Sequence, residues 1–260
     1  MLNNKENLLA DLMTTIIGII QDLENNIFKH SPAELHKKFV ENNKVISEVY
    51  IKKLSPFFQK RGWYISGELY NNQIISLAKA IDNIDKTEHE LEQEYAIEEA
   101  LIGLVKQLLI KKENEMYSTW PHREKILKAA INAHKKSNYI LSIPIFLAQS
   151  DGICHDIFGL HIFSQKQGKK LSEEIEKISN SKVNTSLMKA FLELLSKPSS
   201  MTSRTDKRDE QQQIDKLYGP VNRHGILHGI DLEYDNEANS LRCISLLFFL
   251  EFIQNSYLLD

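Results

Sequence analysis

The sequence VNRHGILHG, residues 221–229, precedes the most apolar segment of the chain, LRCISLLFFLEFI at residues 241–253. Apolar residues occupy every turn of the second segment, a pattern typical of a helix that is buried on all sides. The first segment follows a Gly-Pro turn and places one arginine and two histidines within six residues. A polar cluster beside a core helix indicates a functional site more often than a purely structural one.

The composition predicts an all-α protein. The 260 residues include 10 glycines and 6 prolines, fewer than a turn-rich sheet protein requires, and 42% of them are hydrophobic. That share is enough for a core of ordinary size, in one large domain or two small ones. The net charge of −3 argues against a wholly basic nucleic-acid-binding chain but allows a local basic site.

The cysteines and the apolar pattern bear on the location of the protein. Cys154 and Cys243 are far apart and lie in apolar surroundings, which predicts two buried thiols in a reducing compartment. Charged residues interrupt the apolar ones near Met1, so a secretory signal is not expected. The sequence contains no run of eighteen apolar residues, so no membrane span is expected either. We therefore expect a cytoplasmic protein.

Apolar spacing and proline positions divide the chain into helices. Ser55-Pro56 and Trp120-Pro121 are expected to separate helices, and Pro144 is expected to lie just before the first turn of another. The polar residues 196–213 predict a flexible loop. The predicted helices, with approximate ends, are residues 1–29, 31–54, 71–84, a helix that ends near 117, then 121–136, 145–158 and 186–195.

Two segments upstream differ from the helices around them. Residues 57–67, FFQKRGWYISG, predict a connector that packs on the helices and could include a short strand. A surface on which Trp63 and Tyr64 stack bases is the alternative for this segment. The glutamates within residues 82–99 predict a solvated helix face.

Asp151 is a carboxylate on a helix that is otherwise largely apolar. On the predicted helix 145–158 it shares one face with Ala148 and His155. Buried carboxylates are nearly always paired. Asp151 is therefore expected either to serve a structural partner or to pair with Arg223 or a histidine.

Arg223, His224 and His228 fit RNA cleavage without a metal ion. Histidine is the side chain best suited to proton transfer near neutral pH. An arginine can hold the scissile phosphate through two hydrogen bonds and stabilise the charge that develops on it. RNA supplies its own nucleophile, the ribose 2′-hydroxyl. The products would be a 2′,3′-cyclic phosphate and a 5′-hydroxyl, and no cofactor is required.

Two other interpretations of the same residues stay open. His224 and His228 have the i, i+4 spacing of a zinc site, but Gly225 stands where the H-E-x-x-H pattern has its glutamate. A third ligand, Asp151 or His155, would be needed. Alternatively, the histidines cap and pack the helix, and Arg223 pairs with a carboxylate.

The arrangement R-x4-H, Arg223 to His228 with a polar residue directly after the arginine, resembles the motif of the HEPN superfamily. The motif lies near the end of a helical sequence, before a final apolar helix, as it does in that superfamily. Longer segments are similar to a group of uncharacterised bacterial HEPN-like proteins. These segments are residues 61–63, residues 143–153, and residues 220–229 with Tyr234, Glu237, Asn239, Ser240 and Leu241.

The resemblance implies a C-terminal HEPN-like bundle of four to five helices at residues 126–260, after a helical N-terminal region at residues 1–125. It implies a homodimer in which the two Arg–His motifs face each other. Many members are endoribonucleases of toxin–antitoxin or phage-defence systems, and an antitoxin or activating protein would be a further partner. Some members instead are non-catalytic RNA-binding modules or protein-interaction scaffolds.

The resemblance also implies residue roles. Arg223 would bind phosphate, His228 would be the general acid or base, and His224 would orient or assist. Asp151 does not belong to the motif, and its place among the candidate catalytic residues comes from helix geometry alone.

Overall fold

The chain is all-α in a computed structural model. The structure describes residue 41 and residues 44–65, 71–84, 90–164, 170–177, 186–203 and 221–257, and none of these residues forms a strand. The predicted helix at residues 1–29 lies outside this range, as does much of the polar segment 196–213.

Eight α-helices are numbered here in chain order. A π-helical turn, Tyr50–Leu54, leads directly into α1, and a 3₁₀ turn, Pro121–Arg123, separates α3 from α4. Residues 170–177 are also helical. The helices are α1 Ser55–Arg61, α2 Asn71–Asp82, α3 Glu90–Thr119, α4 Glu124–Lys135, α5 Tyr139–Phe158, α6 Ser186–Ser196, α7 Arg223–Leu227 and α8 Glu237–Tyr257.

Helix α8 is the centre of the core, as its apolar sequence predicts. Residues 238–251 of this helix are all buried, on every face. The helix packs against α5 and α3, and α4 also packs against α5. Burying a helix on all sides removes a large apolar area from water, which is the main favourable term in folding. The short helix α7 packs on α5, so the core also supports the Arg–His segment.

The boundary predicted at Ser55-Pro56 is wrong. The chain stays helical from residue 44 to Arg61, because Ser55 N–H donates to Tyr50 O in a widened π turn directly before the proline. Gly62 ends α1 in a left-handed conformation, with φ of 76°. Trp63 and Tyr64 are buried, which excludes them as a base-stacking surface.

Helix α5 begins six residues earlier than predicted and includes Pro144 in its interior. A proline inside a helix leaves the carbonyl four residues earlier without its usual N–H donor. Here that carbonyl belongs to Ile140, and it accepts a hydrogen bond of 3.2 Å from the Tyr234 hydroxyl. A side chain distant in sequence thus replaces the missing donor.

The glutamates of residues 82–99 do not all form a solvated face, in contrast to the prediction. Glu98 is fully buried and Glu94 nearly so. Arg61 lies 2.5 Å from Glu94 and 3.0 Å from Glu98, and Arg242 lies 3.1 Å from Glu98. Trp63 Nε1 also donates to Glu98, at 2.8 Å. These five side chains join α1, α3 and α8 through one buried ionic cluster.

Both halves of the predicted division contribute to one hydrophobic core, which includes side chains from α1, α3, α5 and α8. The division into residues 1–125 and 126–260 stays a prediction, as does the HEPN-like arrangement of the bundle. Cys154 and Cys243 are free and buried, as predicted.

Candidate functional site

Asn222 begins the Arg–His helix and ties it to a neighbouring turn. Its backbone is extended, and its side-chain Oδ1 accepts a 2.9 Å hydrogen bond from Gly225 N–H, which caps α7. Its side-chain amide donates to Ser203 O at 3.0 Å, and Arg223 N–H donates to Met201 O at 3.1 Å. The buried Asn222 therefore fixes the point at which the side chain of Arg223 leaves the backbone.

The end of α7 is equally constrained. The carbonyl of Gly225 accepts hydrogen bonds from the N–H groups of Ile230 and Asp231, so the chain folds back over the helix. A Cβ on Gly225 would lie 3.2 Å from the Cβ of the buried Asp231, which leaves little room for a larger residue. The five-residue helix is thus held at both ends.

His224 and His228 lie side by side on the exposed face of α7. Their ring centroids are 4.4 Å apart in an edge-to-face arrangement, and both residues are exposed. The predicted i, i+4 alignment is confirmed. Two adjacent imidazoles in contact with solvent are accessible to a substrate.

Arg223 lies over an aromatic ring. Its guanidinium carbon is 5.6 Å from the centre of the Phe163 ring, and the side chain is partly buried. No carboxylate in the described part of the chain forms an ion pair with it, and its Nε is buried without a hydrogen-bond partner there. A guanidinium without a carboxylate partner is suited to pair with an anionic ligand.

Asp151 pairs with a histidine, not with Arg223. Its Oδ2 lies 3.1 Å from Nδ1 of His161, and its Oδ1 accepts a 3.3 Å hydrogen bond from Phe163 N–H. The ring of His155 stacks on that of His161, with centroids 4.8 Å apart. Phe163 therefore touches both Asp151, through its backbone, and Arg223, through its ring.

Sequence reasoning missed His161 and Phe163. Gly159 ends α5 in a left-handed conformation, with φ of 68°, and the chain turns back so that residues 161–163 meet Asp151. The burial of Cys154 beneath this turn, together with the charge of Asp151, raises the pKa of its thiol to about 12. The sequence signal for this turn was the glycine at the end of α5 followed by His-x-Phe. This pattern does not reveal which residue the turn contacts.

The metal alternative lacks a third ligand among the residues that the structure describes. His224 and His228 lie together, whereas Asp151 and His155 both associate with His161. Within the described ranges, no three His, Cys, Asp or Glu side chains are grouped so that they could hold a metal ion.

The three segments on which the HEPN resemblance depends are brought together by the fold. A Cβ on Gly62 would lie 3.2 Å from Val221 and 2.8 Å from the Ser200 hydroxyl, so residues 61–63 pack against the start of the Arg–His segment. Helix α5, which contains residues 143–153, supports α7.

Among the helices that the structure describes, none has the length and apolar character needed to cross a membrane. No family model, curated protein or solved structure matches the chain significantly. The HEPN resemblance therefore stays a prediction.

Proposed function

We propose that this protein is a metal-independent endoribonuclease whose site is built on α7. The observation that carries the proposal is the Arg223 guanidinium, which has no carboxylate partner among the described residues and lies on the same short helix as two exposed histidines. An arginine in this state is suited to bind a phosphodiester. The imidazoles of His224, the next residue, and of His228, at the C-terminal cap of α7, supply groups that transfer protons near neutral pH.

The proposed reaction uses the nucleophile of the RNA itself. The ribose 2′-hydroxyl loses its proton to an imidazole, and O2′ bonds to the adjacent phosphorus. The bond from phosphorus to O5′ breaks, and O5′ takes up a proton. Arg223 stabilises the extra negative charge on the phosphate oxygens in the transition state. The products are a 2′,3′-cyclic phosphate and a 5′-hydroxyl.

The biological setting that we propose follows from the HEPN resemblance. The protein would act in the cytoplasm as a toxin or phage-defence component, as a homodimer with an antitoxin or activating protein as a further partner. Oligomeric state by light scattering, at several protein concentrations, tests the homodimer independently of any activity.

A non-catalytic RNA-binding or protein-interaction scaffold is the second candidate. Exposed apolar side chains beside the histidines favour it, because a surface of this kind suits a protein partner. Leu227, Ile230 and Leu232 are 38%, 55% and 79% exposed.

Cleavage of a mixed RNA pool in EDTA separates the two candidates. Wild type is expected to produce cyclic phosphate ends, and His228→Ala is expected to lose roughly two to four orders of magnitude in rate. His122→Ala is the matched control, since His122 is 63% exposed, lies in the Pro121–Arg123 turn and is paired with Asp156 at 3.6 Å. Products with other termini, or equal cleavage by wild type and His228→Ala, would contradict the proposal. Binding of RNA by wild type without cleavage would favour the scaffold.

A further inference from the structure

A second imidazole site lies near Arg223, outside the R-x4-H motif. Asp151 receives a hydrogen bond from Phe163 N–H and lies 3.1 Å from His161, while the ring of Phe163 contacts the guanidinium of Arg223. The turn after Gly159 thus places His161, which pairs with Asp151, two residues before Phe163, whose ring contacts Arg223.

We propose that His161 is the general acid of the cleavage reaction, that Asp151 is its positioning residue, and that His228 is the general base. This inference rests on the ribonuclease function proposed above. It assigns a catalytic role to a residue outside the R-x4-H motif and changes the role of Asp151 from catalytic to positioning.

The surroundings of His161 are those of an oriented proton donor. A hydrogen bond from Nδ1–H to Asp151 fixes the tautomer, so Nε2 is the nitrogen that exchanges a proton with a substrate. The stacked ring of His155 further restricts rotation of the imidazole. The His161 side chain is 44% exposed whereas that of Asp151 is 20% exposed, so the imidazole faces solvent and the carboxylate lies beneath it.

Electrostatics decides which histidine is the acid and which is the base. A general acid must begin the reaction as an imidazolium ion. His161 has the Asp151 carboxylate 3.1 Å from its Nδ1, whereas His228 lies against the ring of His224. The role of acid is therefore assigned to the histidine with the carboxylate partner, and the role of base to His228.

The proton transfers balance in this assignment. His228 takes the proton of the 2′-hydroxyl, O2′ bonds to phosphorus, and the bond from phosphorus to O5′ breaks with its electron pair left on O5′. His161 gives its proton to O5′. Exchange of one proton with water at each imidazole then restores the starting state.

A substrate with a sulfur atom in place of O5′ tests the assignment. A thiolate leaves without first receiving a proton, because thiols are much stronger acids than alcohols. The His161→Ala variant is expected to cleave ordinary RNA about 10²- to 10⁴-fold more slowly than wild type. It should cleave a dinucleotide in which sulfur replaces O5′ at a rate within about tenfold of the wild-type rate. The His228→Ala variant should lose cleavage of both substrates. The Asp151→Asn variant should lose less of its cleavage rate on ordinary RNA than His161→Ala does, and its rate on the sulfur substrate should again be close to that of wild type.

The outcomes distinguish failure of this inference from failure of the proposed function. If wild type cleaves both substrates and His161→Ala cleaves ordinary RNA equally well, or fails on the sulfur substrate as well, His161 is not the acid. If folded wild type cleaves neither substrate, the ribonuclease proposal fails and the inference fails with it. Urea unfolding of each variant shows whether it is folded, and His161→Gln, of similar size, replaces a His161→Ala protein that does not fold.

Discussion

The guanidinium of Arg242 lies 3.1 Å from the carboxylate of Glu98, and both side chains are completely shielded from solvent. Arg61 shares the same carboxylate from α1, and Glu94 supplies the second negative charge of the cluster. Buried charges cost free energy when they lose a partner, far more than exposed ones do. The packing of α1, α3 and α8 therefore depends on Glu98.

Glu98→Gln should be among the most destabilising substitutions in the chain. It leaves two buried guanidinium groups with one carboxylate, and breaking such a cluster costs about 3–5 kcal/mol. Urea unfolding followed by circular dichroism measures the loss. Glu115→Gln is the control on the same helix, because Glu115 is 64% exposed and its removal should cost no more than about 0.5 kcal/mol. Equal unfolding midpoints for the two variants would show that the buried cluster contributes little.

Gly62→Ala should destabilise the protein more than Gly159→Ala does. Both glycines are left-handed, with φ of 76° and 68°, so both variants bear the backbone strain of a residue with a Cβ, about 1–2 kcal/mol. Only at Gly62 would the new Cβ meet other atoms, the hydroxyl of Ser200 at 2.8 Å and Val221 at 3.2 Å. The free energies of unfolding of the two variants, compared directly, isolate this contact. A loss that is equal in both would mean that Ser200 and Val221 move without cost.

Asn222→Ala should lower both the free energy of unfolding and the affinity for RNA. The variant loses the cap on Gly225 N–H and the hydrogen bond to Ser203 O, at a total cost of about 2 kcal/mol. Arg223 follows Asn222 directly, so α7 loses its fixed orientation toward Phe163. RNA affinity at constant salt, measured on protein that circular dichroism shows to be folded, checks the second effect. Unchanged affinity would show that Arg223 does not depend on the cap or does not bind RNA.

The sequence predicted the helical class, the buried α8 and most helix positions, because these depend on local apolar spacing. It failed where a residue distant in sequence decides the local structure. Pro144 lies inside α5 because the Tyr234 hydroxyl serves the carbonyl of Ile140, and Glu98 is buried because two arginines neutralise it. Neither partner can be identified from spacing along one helix.

The candidate site shows the same difference between features set by local spacing and features set by residues distant in sequence. The alignment of His224 with His228 follows from helix geometry and is confirmed. The sequence left the partner of Asp151 open between a structural partner, Arg223 and a histidine, since the choice depends on how the chain turns after Gly159. No local sequence pattern specifies which residues of a helix the side chains of a following loop contact.

His134→Gln should alter the pH dependence of stability. His134 is buried and its Nδ1 lies 2.8 Å from the Ser240 hydroxyl; burial lowers its pKa below the ordinary value of 6.5, although the nearby Glu237 acts in the opposite direction. Well above pH 6.5 the imidazole is neutral in both the folded and the unfolded chain. As the pH falls below 6.5, the unfolded chain binds a proton first, so wild type loses stability until the pH reaches the folded-state pKa.

The His134→Gln variant lacks this proton uptake. At pH 7.5 it should be less stable than wild type, because the introduced amide side chain would pack less well than the imidazole against Ser240 and the ring of Tyr139. The difference in free energy of unfolding should narrow between pH 6.5 and pH 5, since only the unfolded wild-type chain gains a proton at this position. Urea unfolding at intervals of half a pH unit measures the difference. A gap that stays constant over this range would show that the folded protein accepts the proton on His134 as readily as the unfolded chain does.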